Sequence, residues 1–447
     1  MTFLRAHTTP DEVHATLKRH LLVDGYPLVV DLERSHGSWV VEARDGREYL
    51  DFYTFFASNP IGFDHPRMRD DEIRERLHQA ARVKVASSDK YTTYLADFVD
   101  TLERTAAPTS LPHYFFIEGG ALAIENALKT AFDWKVRKNL ARGLGEKGTK
   151  VLHLEHAFHG RSGYTLSLTN TDPNKTDYFP KFAWPRIPCP RIDFPMEGAN
   201  LDAVIAREKE AVAAAEAAFA RDPHEIAAII LEPIQGEGGD NHFRPDFFRE
   251  LRRLADTHEA LLVYDEVQTG LGLTGKWWAY QHHGIEPDIL CFAKKMQLGG
   301  IFVSKRIDDV EGNVFRKSGR INSTWGGALV DMVRATRILE IIVEGDLLAN
   351  AAARGAELLA ALRSLEATFT GVTNARGSGL MCAIDLPDPA TRNATIKACF
   401  EEGMIVLACG TRSIRFRPTL NVTAEEIAEG ARRLEAGLGR AGVARAR

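Results

Sequence analysis

Two short apolar runs in this chain of 447 residues lead into side chains that could do chemistry together. Residues 261–264 lead into Asp265, and residues 289–292 lead into Lys294 and Lys295. Such bounded runs, rich in aliphatic and aromatic residues, are typical of buried parallel strands. Ligands of open α/β sheets bind beyond the carboxyl ends of the strands, so the aspartate and a lysine could meet at one crevice. An aspartate that charges a pyridine nitrogen and a lysine that forms a Schiff base are what pyridoxal 5'-phosphate (PLP) requires.

A phosphate group could bind where residues 115–129 change from a strand pattern to a helix pattern. The change occurs at Gly119 and Gly120, which Ala121 follows. Small residues there allow an anion to approach the free N–H groups at the amino end of the helix, and the helix macrodipole also favours it. A tight strand-to-helix connection without a ligand is the alternative for this segment alone.

Three further segments carry side chains suited to a planar cofactor or to a carboxylate. Phe158 could stack on a ring and Arg161 could bind a carboxylate, although core packing is the simpler explanation of Phe158 taken alone. Glu237, in a glycine-rich acidic loop, could face either solvent or substrate. Arg415 and Arg417 fall on one face of a predicted strand. One of them could bind a substrate carboxylate, and a surface salt bridge is the alternative.

Two other kinds of site are poorly supported by the spacing. Residues 270–275 match G-x-G-x-x-G but do not open a helix directly after a strand, so they indicate a dinucleotide site only weakly. A P-loop reading fails because Trp277 stands where the hydroxyl that binds Mg²⁺ is needed. His153 lies in an apparent strand, whereas His156 and His159 lie in the following turn. These histidines therefore share no ligand face, and we predict no metal site.

The composition is that of an ordinary globular protein, with 45% hydrophobic and 26% charged residues. A formal net charge of −5 argues against nucleic acid or an acidic membrane surface as a partner. Every apolar run falls short of the ~20 residues that span a bilayer. The five cysteines, an odd number without a CxxC pair, indicate reduced thiols and a cytoplasmic protein.

Apolar runs alternate with helical patterns along most of the chain, which predicts βαβ units and a mostly parallel sheet. The length exceeds the roughly 250–300 residues of a single core, so we expect more than one domain. We predict an amino-terminal segment at 1–65 that contributes to a small domain, a large PLP-binding domain at 66–335 and a carboxyl-terminal small domain at 336–447. Residues 331–348 are predicted to form one long amphipathic helix, and the alanine-rich residues 211–220 a surface helix.

Taken together, these segments resemble the class III aminotransferases, a branch of the fold-type I PLP-dependent enzymes. The resemblance covers nearly the whole chain, and it is carried by an ordered set of motifs at residues 118–121, 158–161, 232–239, 265–270, 294, 323–327 and 415–418. It implies an α/β fold with a large domain, whose mostly parallel sheet is flanked by helices, and a smaller α/β domain built from both chain ends. Residues 23–58, 160–164 and 182–186 are most similar to the branch that acts on L-lysine.

The resemblance also implies a set of residues for a PLP site. Lys294 would hold the cofactor as a Schiff base, because in this family that lysine lies 29 positions beyond the pyridine aspartate, which selects Lys294 over Lys295. Lys294 would also shuttle the proton between substrate and cofactor. The other implied cofactor contacts are Asp265 at the ring nitrogen, Gln268 at the ring hydroxyl, Phe158 and Val267 on the two ring faces, Gly120 and Ala121 at the phosphate, Glu232, and Thr324 reaching the phosphate from the partner subunit of a homodimer.

A member of this branch would move the ε-amino group of L-lysine to 2-oxoglutarate, giving L-glutamate and 2-aminoadipate 6-semialdehyde, which cyclises to piperideine-6-carboxylate. The resemblance implies that Arg161 binds the distal carboxylate and Arg415 the proximal one. Glu237 would pair with Arg415 for lysine and swing away for glutamate or 2-oxoglutarate, because an unpaired buried arginine is costly. Asn322 would help to hold the α-substituents of lysine. An ω-aminotransferase for ornithine or 4-aminobutyrate is the alternative.

Overall fold

A seven-stranded sheet forms the centre of the protein, whose computed structural model describes residues 7–83 and 90–446. The predicted domain ranges extend over residues 1–6, 84–89 and 447, which lie outside the described residues. The strands, numbered along the chain, are β1 Val30–His36, β2 Trp39–Glu42, β3 Glu48–Asp51, β4 His113–Ile117, β5 Lys150–Leu154, β6 Arg186–Ile187, β7 Ile226–Leu231, β8 Leu261–Asp265, β9 Ile289–Phe292, β10 Gly299–Val303, β11 Thr373–Ser378, β12 Met381–Asp385, β13 Met404–Ile405, β14 Leu407–Cys409 and β15 Ser413–Phe416.

Helices occupy most of the connections between these strands. They are α1 Val13–Leu17, α2 Thr54–Ala57, α3 Asp71–Arg82, α4 Thr93–Thr105, α5 Gly120–Ala141, α6 Gly163–Leu168, α7 Gly198–Arg221, α8 Pro245–Thr257, α9 Leu329–Glu344, α10 Leu347–Thr368, α11 Pro389–Glu401 and α12 Ala424–Arg440. Short 3-10 helices lie at Pro10–Glu12, Pro66–Met68, Pro173–Lys175, Ala279–His282, Lys294–Met296 and Lys305–Asp309.

The central sheet has the strand order β4-β10-β9-β8-β7-β5-β6. From β6 to β9 every pairing is parallel, whereas β10 runs antiparallel to both β4 and β9. The prediction of a mostly parallel sheet is therefore confirmed. The strand pattern did not indicate β10, because only the 3-10 helix Lys294–Met296, and no α-helix, separates this strand from β9.

The central strands are buried on both faces, which explains their unbroken apolar runs. In β8, Leu261 and Val263 belong to the apolar cluster that contains residues of α5. Leu262 and Tyr264 belong to the larger cluster on the opposite face, which contains residues of α8. Helices therefore cover the sheet on both sides, and the polar end of β8 remains for the cavity described below.

Two smaller sheets lie in the parts of the chain before and after the central sheet. One has the order β1-β2-β3-β13, in which β13 from the carboxyl-terminal part pairs in parallel with β3. The other, β11-β12-β15-β14, is antiparallel. A smaller α/β unit built from both chain ends is thus confirmed. The boundaries at 65 and 335 stay predictions, and the second falls inside α9.

One helix prediction needs correction. The single helix predicted at 331–348 is two helices, because α9 ends at Glu344 and Asp346 adopts a left-handed φ of 47° before α10 begins. The alanine-rich segment lies in α7 with Ala213, Ala217 and Ala220 exposed, so the predicted surface helix is confirmed, while Ala211 and Ala215 on its inner face are fully buried. Their small side chains let α7 pack closely against its neighbours.

Candidate active site

Asp265 and Lys294 face one cavity at the carboxyl ends of two adjacent parallel strands. Asp265 is the last residue of β8 and pairs in register with Cys291 of β9. Lys294 begins the 3-10 helix that follows β9. The cavity has a volume of about 420 Å³, and the predicted site residues that line it are Gly120, Ala121, Phe158, Glu232, Asp265, Val267, Gln268 and Lys294.

The two neighbouring lysines point to different places. Lys294 lines the cavity, and burial lowers the pKa of its amine to about 8. Lys295 lies outside the cavity lining formed by the described residues, and its Nζ donates a hydrogen bond to the backbone carbonyl of Gln268 at 2.7 Å. Burial also lowers the pKa of Lys295. Lys294 is therefore the amine available to a ligand in the cavity.

The Asp265 carboxylate is held by two groups. Its Oδ1 accepts a hydrogen bond from the backbone N–H of Val267 at 3.0 Å, and its Oδ2 lies 2.8 Å from Nδ1 of the buried His159. The sequence reasoning considered His159 only as a metal ligand and missed this contact. Its position directly after Phe158, in the loop predicted to meet the cofactor, was the available signal.

Glu232 connects two loops of the cavity wall. It lies just beyond β7, and its Oε1 accepts a hydrogen bond from the backbone N–H of Phe158 at 3.0 Å. Its Oε2 accepts another from the backbone N–H of Gly236 at 2.9 Å. Burial raises the pKa of this carboxyl group. Glu232 thereby fixes the position of Phe158 as well as lining the cavity.

A glycine turn at the amino end of α5 opens onto the same cavity. Gly119, with a φ of 92°, precedes the 22-residue helix, and Gly120 is its first residue. A side chain at Gly120 would place its Cβ 2.9 Å from Cγ1 of Val267. The space beside Val267 therefore stays open because residue 120 has no side chain. Backbone N–H groups at the start of a long helix in such a space suit a phosphate group.

Arg415 and Arg417 are both buried, so a surface salt bridge, the alternative considered for them, is wrong. Both guanidinium groups reach Oε1 of Gln268, Arg417 at 3.0 Å and Arg415 at 3.4 Å. Their side chains thus share one face, as predicted. Arg417 also pairs with the fully buried Asp240, with Nη1 and Oδ2 2.9 Å apart. Asp240 was not predicted, since its partner lies 177 positions away in the chain.

Glu237 faces Arg415 rather than bulk solvent. Its Oε2 accepts a hydrogen bond from Nη2 of Arg415 at 2.7 Å. Its Oε1 contacts Nζ of Lys175, a second cation that sequence reasoning missed. Burial raises the pKa of Glu237, but the charges of Arg415 and Lys175 outweigh that effect and lower it overall. Glu237 is therefore ionised at neutral pH.

Three predicted site residues lie elsewhere on this chain. The side chains of Arg161, Asn322 and Thr324 are exposed, outside the cavity lining formed by the described residues. Asn322 accepts a hydrogen bond from the backbone N–H of Ser323. The roles of these three residues stay predictions.

The described ranges, 7–83 and 90–446, contain neither a cluster of metal ligands nor a helix that could cross a membrane. These ranges contain no group of three or more His, Cys, Asp or Glu side chains that could hold a metal ion. In the same ranges, each helix is too short or too polar to cross a membrane.

Comparisons with known proteins agree on one family. The sequence model described as aminotransferase class-III matches residues 23–438. L-lysine-epsilon aminotransferase of Mycobacterium tuberculosis is 52% identical over 423 residues, 94% of each chain, and that of Amycolatopsis lactamdurans is 49% identical over 446 residues, 98% of each. A solved structure of lysine aminotransferase from M. tuberculosis, in the internal aldimine form, has a TM-score of 0.94 at 50% identity and covers 97% of this chain and 100% of that one.

The buried Arg417–Asp240 pair leads to a prediction about stability. Asp240→Ala removes the anion beside a guanidinium that is 1% exposed. We expect the free energy of the first unfolding transition in urea to fall by about 3–5 kcal/mol, because an uncompensated charge remains buried. Asp246, whose ion pairs lie at the surface, provides the control, and Asp246→Ala should cost at most about 1 kcal/mol. Equal losses in the two variants would contradict this account.

Proposed function

The chain belongs to the class-III aminotransferases, and from this premise we propose that it transfers the ε-amino group of L-lysine to 2-oxoglutarate. The products are L-glutamate and 2-aminoadipate 6-semialdehyde, which cyclises to piperideine-6-carboxylate. The observation that carries the proposal is the Arg415–Glu237 ion pair, 2.7 Å long, beside the cavity that Lys294 and Asp265 share. The relatives that are about half identical to this chain carry the name of a lysine enzyme rather than of an ornithine or 4-aminobutyrate enzyme.

Aminotransferases of this class depend on PLP, and the residues of the cavity fit that cofactor. When bound, PLP supplies an aldehyde that combines with amines and a ring that accepts the electron pair of an adjacent C–H bond. The N–H groups at Gly120 and Ala121 would hold its phosphate, and Gln268 its ring hydroxyl. Phe158 and Val267 would enclose the ring.

Lys294 and Asp265 would control proton transfer and protonation in the reaction. An amine with a pKa of about 8 is partly neutral near pH 7.5, so Nζ of Lys294 can accept a proton from the substrate carbon and return it. The Asp265 carboxylate, oriented by His159, would hold a proton at the ring nitrogen. Lys295 would support the site only through its bond to the Gln268 backbone.

The two substrates make opposite demands on Arg415. Lysine brings its terminal amine to Lys294 and places an uncharged alkyl chain near Arg415, so Glu237 must neutralise the guanidinium. 2-Oxoglutarate brings a carboxylate to the same place, so Glu237 must leave. An exchangeable pair lets one cavity accept both substrates without leaving a buried arginine unpaired.

The three predicted site residues that are exposed on this chain also have proposed roles. Arg161 would bind the distal carboxylate of either substrate, and Asn322 the α-substituents of lysine. Thr324 would reach the phosphate of the partner subunit in a homodimer. We also propose the domain ranges 1–65, 66–335 and 336–447. A cytoplasmic location is proposed because the five cysteines are buried and free.

The substrate assignment predicts a rank order of amino donors. With 2-oxoglutarate as acceptor, glutamate formation should be fastest with L-lysine and at least about tenfold slower, by kcat/KM, with ornithine or 4-aminobutyrate, a difference of about 1.4 kcal/mol. A coupled glutamate assay measures all three, and Lys294→Ala should abolish each rate. Faster turnover of ornithine or 4-aminobutyrate would refute the lysine assignment while leaving the family intact.

The pKa of Lys294 predicts how cofactor capture depends on pH. A neutral amine is the nucleophile, so the rate at which the apoenzyme gains its visible cofactor band should rise with pH and level off above about 8. Stopped-flow absorbance measures this rate. Lys294→Ala should show no such band, whereas Lys295→Ala should retain it. A rate that still climbs near pH 10 would show that burial does not lower this pKa.

A further inference from the structure

The Glu237 carboxylate contacts two cations that come from different parts of the chain. Oε2 accepts a hydrogen bond from Arg415 at 2.7 Å, and Oε1 contacts Nζ of Lys175. Arg415 lies on β15, whereas Lys175 ends the 3-10 helix Pro173–Lys175. The two substrate demands described above explain the first contact but give no reason for the second.

The backbone around Glu237 is held in place, so its carboxylate can leave Arg415 only by rotation of the side chain. The backbone N–H of Gly410 donates to the carbonyl of Glu237 at 2.8 Å. Slightly further along the same loop, the backbone carbonyls of Gly239 and Asp240 accept hydrogen bonds from the Arg376 side chain at 2.6 and 3.0 Å. The arginine is itself buried and paired with Asp385. A displacement of the whole loop would break each of these bonds.

Lys175 contacts the carboxylate oxygen of Glu237 that Arg415 does not contact. Its Nζ lies 5.7 Å from the centre of the Phe158 ring, which lines the cavity. The side chains of Lys175 and Glu237 are 28% and 23% exposed, so the ion pair between them is partly accessible to solvent. A carboxylate that turns away from Arg415 therefore remains within reach of a cation.

We propose that Lys175 is a positioning residue that keeps the Glu237 carboxylate paired after a substrate carboxylate has taken its place on Arg415. This inference rests on the proposed exchange at Arg415, though not on lysine being the donor. Glu237 would exchange one of two cations while retaining the other, and the retained contact would strengthen because Arg415 no longer shares the charge of the carboxylate. Lys175 would thus favour the acceptor reaction, in which Glu237 must leave, and have little influence on the donor reaction, in which it stays.

The test measures the two half-reactions separately in the holoenzyme by stopped-flow absorbance. In Lys175→Met, the rate constant at low 2-oxoglutarate should fall about three- to fivefold, because a partly exposed ion pair contributes up to about 1 kcal/mol. The lysine half-reaction should change less than twofold by the same reasoning. Lys175→Arg should restore the 2-oxoglutarate rate. Lys181, on the same loop but bonded to the carbonyl of Thr176, is the matched control, and Lys181→Met should behave as wild type.

Binding of glutarate, an unreactive five-carbon dicarboxylate, provides a readout that does not depend on turnover. Calorimetry on the holoenzyme should show a dissociation constant about three- to fivefold larger in Lys175→Met, and no such loss in Lys181→Met. If the lysine half-reaction falls as far as the 2-oxoglutarate half-reaction, or glutarate binds unchanged, the proposal is wrong.

A double-mutant cycle separates this role from direct binding of the substrate by Lys175. In a Glu237→Ala background the carboxylate that Lys175 retains is gone, so Lys175→Met should no longer weaken glutarate binding. An undiminished loss in that background would overturn the proposal and assign Lys175 to the substrate itself. Failure of wild-type enzyme to use lysine would refute the proposed donor instead, since glutarate and 2-oxoglutarate probe only the acceptor side.

Discussion

A guanidinium group removed from water must have an anionic partner, and the site is organised around that requirement. The Arg415 side chain is only 3% exposed, and its neighbour Arg417 is 1% exposed. The two arginines meet the requirement in different ways. Arg417 pairs with Asp240, which is fully buried and held by the surrounding bonds. Arg415 pairs with Glu237, whose side chain is 23% exposed and also contacts Lys175. One ion pair thus lies buried behind Gln268 of the cavity wall, and the other is the pair that we propose is exchanged for a substrate carboxylate.

The sheet brings these charges close to the amine of Lys294. Adjacent parallel strands β8 and β9 end at the same edge, which places Asp265 and Lys294 in one cavity. The strand β15 belongs to a different sheet, yet its arginines reach Gln268, three residues beyond Asp265. Gln268 therefore links the proposed cofactor site to the proposed carboxylate site. Since both meet at one side chain, a substrate held by Arg415 as proposed would also be positioned relative to Lys294.

Much of this arrangement could be predicted from the sequence because it depends on local patterns. The apolar runs before Asp265 and Lys294 indicated parallel strands, and the glycines before α5 indicated an open helix terminus. The contacts of His159, Asp240 and Lys175 were missed because each partner lies at least 62 positions away in the chain. The hydrophobic periodicity of a sequence does not indicate which distant residues will pair. The proposed roles of Thr324 and Asn322 involve surfaces that are exposed on a single chain, so neither the sequence pattern nor one subunit brings them to the cavity.

The exchange of partners at Arg415 is the central claim, and Arg415→Met tests it most directly. Single-turnover rates should be measured for the two half-reactions of the holoenzyme. The rate constant at low 2-oxoglutarate should fall about thirtyfold or more, because loss of a buried charge that binds a carboxylate costs at least about 2 kcal/mol. The lysine half-reaction should fall less than about threefold, because lysine places no carboxylate at Arg415 and Glu237 keeps its contact with Lys175. Equal losses in the two half-reactions would contradict the exchange.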